Sequence, residues 1–175
     1  MLSITISAVA YTFTILQKAF ITNPRWQVLI QKLPRQSGAP SDLYDLPGGK
    51  LAYEESLRES LNSAVNMETG LILTTVSVPL NVTTYLDWID RSQQIVRIIY
   101  LCISEGQLNP GDKTREYLWI DSSQYSQYLF PDEGYKKAFE TYSTHSQLAS
   151  SEFLGLGILS DTTQYLRSKK TTPLI

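Results

Sequence analysis

The chain has 175 residues, of which 42% are hydrophobic, 11% aromatic and 18% charged, and its formal net charge is −2. This length is typical of one globular domain with a sizeable core, and the aromatic content argues against a disordered chain. The near-neutral charge excludes the strongly basic surface with which proteins bind nucleic acid. One cysteine and one histidine exclude a disulfide framework and any metal cluster built from those residues.

The first segment alternates apolar residues with smaller or polar ones, which predicts a β-strand near the start of the chain. Residues 1–17 carry no charged side chain, but serines and threonines interrupt the apolar run. A signal peptide would need basic residues ahead of its apolar segment, and a membrane span would need about 20 apolar residues. We therefore expect a cytoplasmic protein with no membrane partner.

A second strand is predicted over Gln27–Lys32, and a polar loop follows it over 35–42. A Pro-Gly-Gly turn at 47–49 then leads into the best helix candidate, over 53–69. Leucine, alanine and valine side chains in this segment are spaced to share one helix face. Gly70 is the expected C-terminal cap of the helix.

After the helix the pattern changes to segments rich in Val, Ile, Thr and Tyr, which are typical of strands. These strands are predicted over 71–78, 82–88, 95–104 and 116–121, and a second helix over 133–144. We expect one domain over residues 1–147, in which strands enclose the long helix. A C-terminal extension over 148–175 could be helical, and it could pack on the domain or form a dimer contact.

The segment from Leu46 to Leu71 resembles the signature of the Nudix hydrolase superfamily. That signature runs from a glycine through a glutamate to Arg-Glu-apolar-any-Glu-Glu-any-Gly-apolar, and it falls on residues 49–71 of this chain. The positions that agree with it are Gly49, Glu55, Val65, Glu68, Gly70 and Leu71. The flanks agree as well, with Tyr44 before the Leu-Pro-Gly-Gly turn and a late Glu-Tyr-any-Trp strand. The resemblance implies an α/β/α sandwich built on a mixed sheet.

Three fixed positions of the signature differ in this chain, where Ser63, Ala64 and Met67 replace an arginine and two glutamates. In the family, the glutamates of this helix collect Mg²⁺ or Mn²⁺ against a diphosphate, so several carboxylates must converge. Ala64 can ligate nothing, and the thioether of Met67 is a soft donor that Mg²⁺ does not favour. We expect at most a remnant metal site on Glu68 and the Gly49 carbonyl. The cofactor is then either none or a weakly bound Mg²⁺ or Mn²⁺.

Glu68 is the candidate catalytic residue. It lies on the apolar face of the predicted helix and in its last turn, where burial and the helix dipole both disfavour a charged carboxylate. One interpretation is that the side chain reaches solvent or caps a loop amide. The other is that Glu68 is a site residue, either a metal ligand or a proton-transfer group. The agreement of the surrounding signature favours the second interpretation.

Candidate substrate-binding residues are Tyr44, Gly48, Gly49, Lys50 and Arg97. The resemblance places the Tyr44 position beside the pocket, and Arg97 is a cation within an apolar strand. Such a cation needs an anionic partner, either a phosphate or carboxylate of a ligand or, more commonly, a neighbouring acidic residue. Aromatic residues that could stack on a flat ligand, or simply fill the core, are Tyr44, Tyr85, Trp88 and Trp119.

Cys102 lies in an apolar run and is predicted to be a buried core thiol. A role as a nucleophile is disfavoured because no histidine is nearby in sequence to activate the sulfur.

The sequence leaves three functions open, each with a small molecule as the partner. The favoured one is a repurposed Nudix enzyme, in which Glu68 performs metal-free acid–base chemistry. The second is an atypical hydrolase of an organic or nucleoside diphosphate with a reduced metal site. The third is a non-catalytic ligand-binding or regulatory module. In all three, conventional Mg²⁺-dependent diphosphate hydrolysis is expected to be lost or impaired. A homodimer is a further alternative by analogy with the family.

Overall fold

The structure, a computed structural model, describes residues 12–34, 42–87, 91–111 and 115–150. In chain order its elements are β1 (Thr12–Thr22), β2 (Gln27–Lys32), β3 (Tyr44–Asp45), β4 (Gly48–Lys50), α1 (Leu57–Thr69), β5 (Ile72–Leu86), β6 (Gln93–Glu105), β7 (Tyr117–Asp121), a 3₁₀ turn (Ser122–Gln127) and α2 (Glu133–Ser150). The first eleven residues, which include most of the strand predicted at the start of the chain, lie outside the described residues.

The strands form one sheet in the order β3-β2-β1-β6-β5, with β4 paired to β1 and β7 paired to β2. Strand β1 pairs in parallel with β6 along the whole length of β1, and the other strand pairs are antiparallel. The prediction of a mixed sheet is therefore confirmed.

One strand replaces two predicted strands between residues 71 and 88. Strand β5 continues through Pro79, and its register against β6 shifts on both sides of that residue. A proline cannot donate a ladder hydrogen bond, so it is tolerated at irregular positions of edge strands. Among the described strands β5 pairs only with β6, so the proline disturbs the register without ending the strand.

Two hydrophobic cores lie on opposite faces of the sheet because side chains alternate along each strand. On β1, Ala19 and Ile21 pack toward α1, in a cluster with Leu61 and Val65. Phe20, between them, packs on the other face, in a cluster with aromatic residues of α2. This arrangement of helix, sheet and helix is the predicted α/β/α sandwich.

Helix α1 begins at Leu57, four residues later than predicted, because Ser56 caps it. The Ser56 Oγ accepts a hydrogen bond from the Glu59 amide at 3.3 Å, and its hydroxyl donates to the Glu59 carboxylate at 2.7 Å. Such a cap satisfies one of the amides that a helix start leaves unpaired. At the other end Gly70 adopts a φ of 75°, which confirms it as the C-terminal cap.

Helix α2 is longer than predicted: it covers Glu133–Ser150 and so crosses the boundary expected at residue 147. The rest of the predicted C-terminal extension, residues 151–175, lies outside the described residues. Neither helix of the described ranges has the length and apolar character needed to cross a membrane.

Cys102 is fully buried, which confirms its prediction as a core residue. Burial raises the pKa of its thiol, because apolar surroundings disfavour the thiolate. We expect the native protein to resist Ellman's reagent at neutral pH and to react with one equivalent in denaturant, measured by absorbance. Rapid reaction of the native protein would contradict the buried position.

Candidate functional site

Glu68 connects the last turn of α1 to the glycine turn before β4. Its Oε2 accepts a hydrogen bond from the Gly48 amide at 2.9 Å, and its Oε1 accepts one from Arg115 Nη1 at 2.9 Å. The Glu68 side chain is 22% exposed. Hydrogen bonds of a carboxylate to an amide and to a guanidinium are charge-assisted and strong. Glu68 thus caps a loop amide, which was the structural alternative predicted for it.

Arg115 lies just before β7 and is held by several groups. Its Nη1 also donates to Gln31 Oε1 at 3.2 Å, and the hydroxyl of the adjacent Tyr117 donates to the Glu68 carbonyl oxygen at 3.0 Å. Burial lowers the pKa of Arg115, but the charge and hydrogen bond of Glu68 raise it more, so the guanidinium stays charged. Sequence reasoning missed this residue.

The glycine turn is pressed against β1. Gly48 has a φ of +144°, and a Cβ atom there would lie 2.2 Å from the Gln17 carbonyl oxygen. The Pro47 carbonyl accepts a hydrogen bond from the Ala19 amide at 2.8 Å. The turn is therefore fixed by backbone contacts with β1 and by the Glu68 carboxylate.

Arg97 is 1% exposed and lies on the α2 face of the sheet. Its guanidinium makes two hydrogen bonds to the Asp132 carboxylate, at 2.6 and 2.7 Å. It also lies over the ring of Tyr135, with Cζ 4.1 Å from the ring centroid. Burial raises the pKa of Asp132, but the bonds and charge of Arg97 lower it more, and the net shift is downward. Of the two partners predicted for Arg97, the structure shows the neighbouring acid.

A cleft of about 570 Å³ opens above this pair, and we call it the Arg97 cleft. Its lining includes Arg97, Asp132, Tyr135, Tyr85, Asp45 and Lys137.

The Asp45 carboxylate at the base of the cleft accepts hydrogen bonds from Lys18 Nζ at 2.6 Å, from the Leu46 amide at 2.7 Å and from the Tyr135 hydroxyl. Burial raises the pKa of Tyr135 well above its usual value, so this phenol stays neutral. Asp45 is therefore paired with Lys18, as Asp132 is paired with Arg97.

No family model matches the sequence, and a search of curated proteins finds no relative. Solved structures do match. The chain is similar to the ORF135 protein of Escherichia coli, with 17% identity over 85% of this chain and 99% of that protein and a TM-score of 0.66. A MutT NUDIX hydrolase from Burkholderia pseudomallei has 21% identity over 74% and 98%, with a TM-score of 0.59. A UDP-X diphosphatase has 19% identity over 81% and 66%, with a TM-score of 0.57.

The chain has the Nudix fold. The resemblance seen in residues 49–71 is therefore confirmed at the level of the fold.

The Nudix fold implies a divalent cation at the Glu68 position, and the residues here do not fit one. Ala64, one turn before Glu68, offers no donor atom, and the Met67 side chain is 74% exposed. In the described part of the chain, no group of three or more His, Cys, Asp or Glu side chains could hold a metal ion. The Arg115 guanidinium on Glu68 would also repel a second cation.

The residues predicted for the site do not all meet in one place. Arg97 lines the Arg97 cleft, whereas Glu68, Gly49 and Lys50 do not. Lys50 lines a separate, shallow cleft of about 440 Å³ beside the start of β1.

Two aromatic candidates for ligand stacking have core contacts instead. Tyr44 packs against the core on the α2 side, with its ring edge-on to Tyr128 at 5.0 Å. Trp119 packs against the α1 core. Tyr85 lines the Arg97 cleft, and Trp88 lies outside the described residues.

Sequence reasoning missed Asp45 and Asp132, which line the Arg97 cleft, and Lys18, which pairs with Asp45. A lysine in the middle of an apolar strand was a usable signal, because buried cations need partners. Asp132 directly precedes α2, where acidic residues are common as caps, so its pairing with Arg97 left no local sign.

Proposed function

We propose that the protein is a Nudix-type small-molecule-binding protein whose ligand occupies the Arg97 cleft. We further propose that conventional Mg²⁺-dependent diphosphate hydrolysis is lost or strongly impaired. The observation that supports the first proposal is that the Asp132 carboxylate is both held in place and partly exposed. Buried Arg97 fixes this carboxylate in place, yet its side chain is 38% exposed at the cleft.

The chemistry of the cleft favours a flat, polar ligand. A cleft of about 570 Å³ is within the range of about 300–1,000 Å³ typical of small-molecule sites. The exposed edge of Asp132 can accept hydrogen bonds from amino or imino groups, and the ring of Tyr85 offers a surface for stacking. Lys137 adds a cation for an acidic group.

These features suit a nucleoside derivative better than an aliphatic diphosphate. One structural neighbour is described as a UDP-X diphosphatase, which supports nucleoside diphosphate derivatives as the first class to test.

The surroundings of Glu68 argue against diphosphate hydrolysis. Diphosphate hydrolysis with a divalent ion needs several oxygen ligands, and Ala64 and Met67 remove two of them. Each Glu68 oxygen already accepts a hydrogen bond, from Gly48 or from Arg115. Acid–base catalysis by Glu68 stays a prediction.

The test is a thermal-shift screen of the purified protein followed by calorimetry. The panel contains nucleoside diphosphate derivatives, organic diphosphates and neutral metabolites, each with and without Mg²⁺. We expect a nucleoside compound to bind with an affinity that Mg²⁺ does not change. Asp132→Asn should weaken binding about tenfold or more, because a hydrogen bond to a charged group contributes about 1.5–3 kcal/mol.

Asp42→Asn is the matched control, since Asp42 is a 65% exposed carboxylate paired with Lys32 and does not line the cleft. Its ligand affinity should equal that of the wild type. Robust Mg²⁺-dependent turnover would contradict the loss of hydrolysis. Equal ligand affinity in the Asp132→Asn variant would refute the Arg97 cleft as the binding site. Metal-free turnover abolished by Glu68→Gln would instead support the repurposed enzyme.

A further inference from the structure

The cation beside the Glu68 carboxylate is a side chain of the protein itself, the Arg115 guanidinium. The Arg115 guanidinium lies 2.9 Å from the Glu68 carboxylate and 3.2 Å from the Gln31 side-chain oxygen. Tyr117, two residues further on, donates its hydroxyl to the Glu68 carbonyl oxygen at 3.0 Å. Three elements, α1, β2 and β7, therefore meet around this charge.

We infer that Arg115 is a resident cation that occupies, at Glu68, the position where the Nudix fold would hold a divalent ion. One guanidinium neutralises one carboxylate, and the two N–H groups of Nη1 donate to a carboxylate oxygen and an amide oxygen together. The other oxygen of the same carboxylate accepts the hydrogen bond from the Gly48 amide at 2.9 Å. The link between the glycine turn and helix α1 thus needs no metal.

Charge balance supports this assignment. Where the family signature has glutamates at positions 64 and 67, this chain has an alanine and a methionine, so the acidic charge around Glu68 is smaller. A divalent ion on this single carboxylate would leave excess positive charge beside Arg115, which is itself only 31% exposed. Partial burial reduces the solvent screening that would otherwise weaken that repulsion.

The experiment measures Mn²⁺ affinity by electron paramagnetic resonance, with four variants and the wild type. Ala64→Glu with Met67→Glu restores the missing carboxylates, first with Arg115 present and then with Arg115→Met added. A matched variant carries the two glutamates with Arg58→Met. Arg58 is an exposed arginine of α1 whose guanidinium contacts the Thr74 carbonyl, so this variant has the same net charge. Arg115→Met alone is the fourth variant.

We expect no Mn²⁺ binding to the wild type and no change in its melting temperature with Mg²⁺ or EDTA. The two restored glutamates should permit weak binding, and Arg115→Met should tighten it about tenfold or more by removing the repulsion. Arg58→Met should change the affinity of the restored variant less than twofold.

Saturable Mn²⁺ binding to the wild type would overturn the inference, as would equal Mn²⁺ affinities in the Arg115→Met and Arg58→Met backgrounds. If the restored variants do not fold, Arg115→Met alone decides. Its melting temperature should fall below that of the wild type and recover partly on addition of Mn²⁺, and an unchanged melting temperature would overturn the inference. These measurements involve no cleft ligand, so they can fail or succeed separately from the proposed function.

Discussion

Replacing Asp132 with alanine is expected to lower the free energy of unfolding by about 4 kcal/mol, whereas Arg97→Met should lower it by only about 1 kcal/mol. Asp132→Ala leaves the Arg97 guanidinium buried at 1% exposure without its carboxylate. Removing one partner of a buried pair costs about 3 kcal/mol or more. Asp132 Oδ1 also accepts the Gly134 amide at 2.8 Å at the start of α2, and loss of such a cap costs about 1 kcal/mol.

Arg97→Met is milder because the carboxylate that it leaves without a partner is partly exposed. Arg97→Met leaves Asp132, whose side chain is 38% exposed and can be hydrated. The methionine fills part of the space over Tyr135, and the cap on Gly134 stays in place. Urea denaturation of both variants measures the difference. Asp42→Ala, which removes an exposed pair, is the control and should cost less than about 1 kcal/mol. Equal losses for Asp132→Ala and Arg97→Met would contradict the burial asymmetry.

The same pair predicts a pH dependence. Arg97 holds the pKa of Asp132 below its ordinary value of 3.8. A carboxyl whose pKa is lower in the folded state stabilises the protein fully above its unfolded pKa, and that stability is lost as the pH falls through the folded pKa. The difference in stability between the wild type and Asp132→Ala should therefore be constant at neutral pH. It should shrink only when the pH falls below about 4.

Local patterns in the sequence were sufficient for much of the fold. The spacing of apolar residues located α1, and the left-handed Gly70 ended it where expected. The start of α1 could also be predicted from the sequence. Glu59 follows Ser56 by three residues, and this spacing is a known signature of a helix start. The division of β5 into two strands failed for a different reason. A proline such as Pro79 would end most central strands. Strand β5 lies at the edge of the sheet, and only the sheet topology reveals that position.

The candidate site was harder to predict from the sequence because its contacts join residues far apart in the chain. Arg115 and Glu68 are separated by 47 positions, and Arg97 and Asp132 by 35. Neither pair follows from a helical or strand period. The sequence could state that Arg97 needs an anionic partner and that Glu68 lacks neighbouring carboxylates. Strand register and the position of the residues before β7 determine that Asp132 pairs with Arg97 and that Arg115 pairs with Glu68.

Gly48→Ala is expected to reduce the free energy of unfolding by about 3 kcal/mol or to prevent folding, while the neighbouring Gly49→Ala should cost about 1 kcal/mol or less. At Gly48 the new methyl carbon would lie 2.2 Å from the Gln17 carbonyl oxygen and 3.0 Å from the Lys18 Cα, and both are backbone atoms of β1. The φ of +144° adds strain for any residue with a Cβ. The turn cannot move away without breaking the Gly48 bond to Glu68.

Among the described residues, a new methyl at Gly49 would meet only the Cβ of Ala64, at 3.0 Å, and a shift of a few tenths of an ångström relieves that contact. Urea denaturation midpoints of the two variants give the comparison, and loss of a cooperative transition in Gly48→Ala agrees with the expected result. A denaturation midpoint of Gly48→Ala equal to that of Gly49→Ala would show that the turn is not pressed against β1. In that case Glu68 would not be anchored by the Gly48 amide, and the role of Arg115 in neutralising an anchored carboxylate would lose its structural basis.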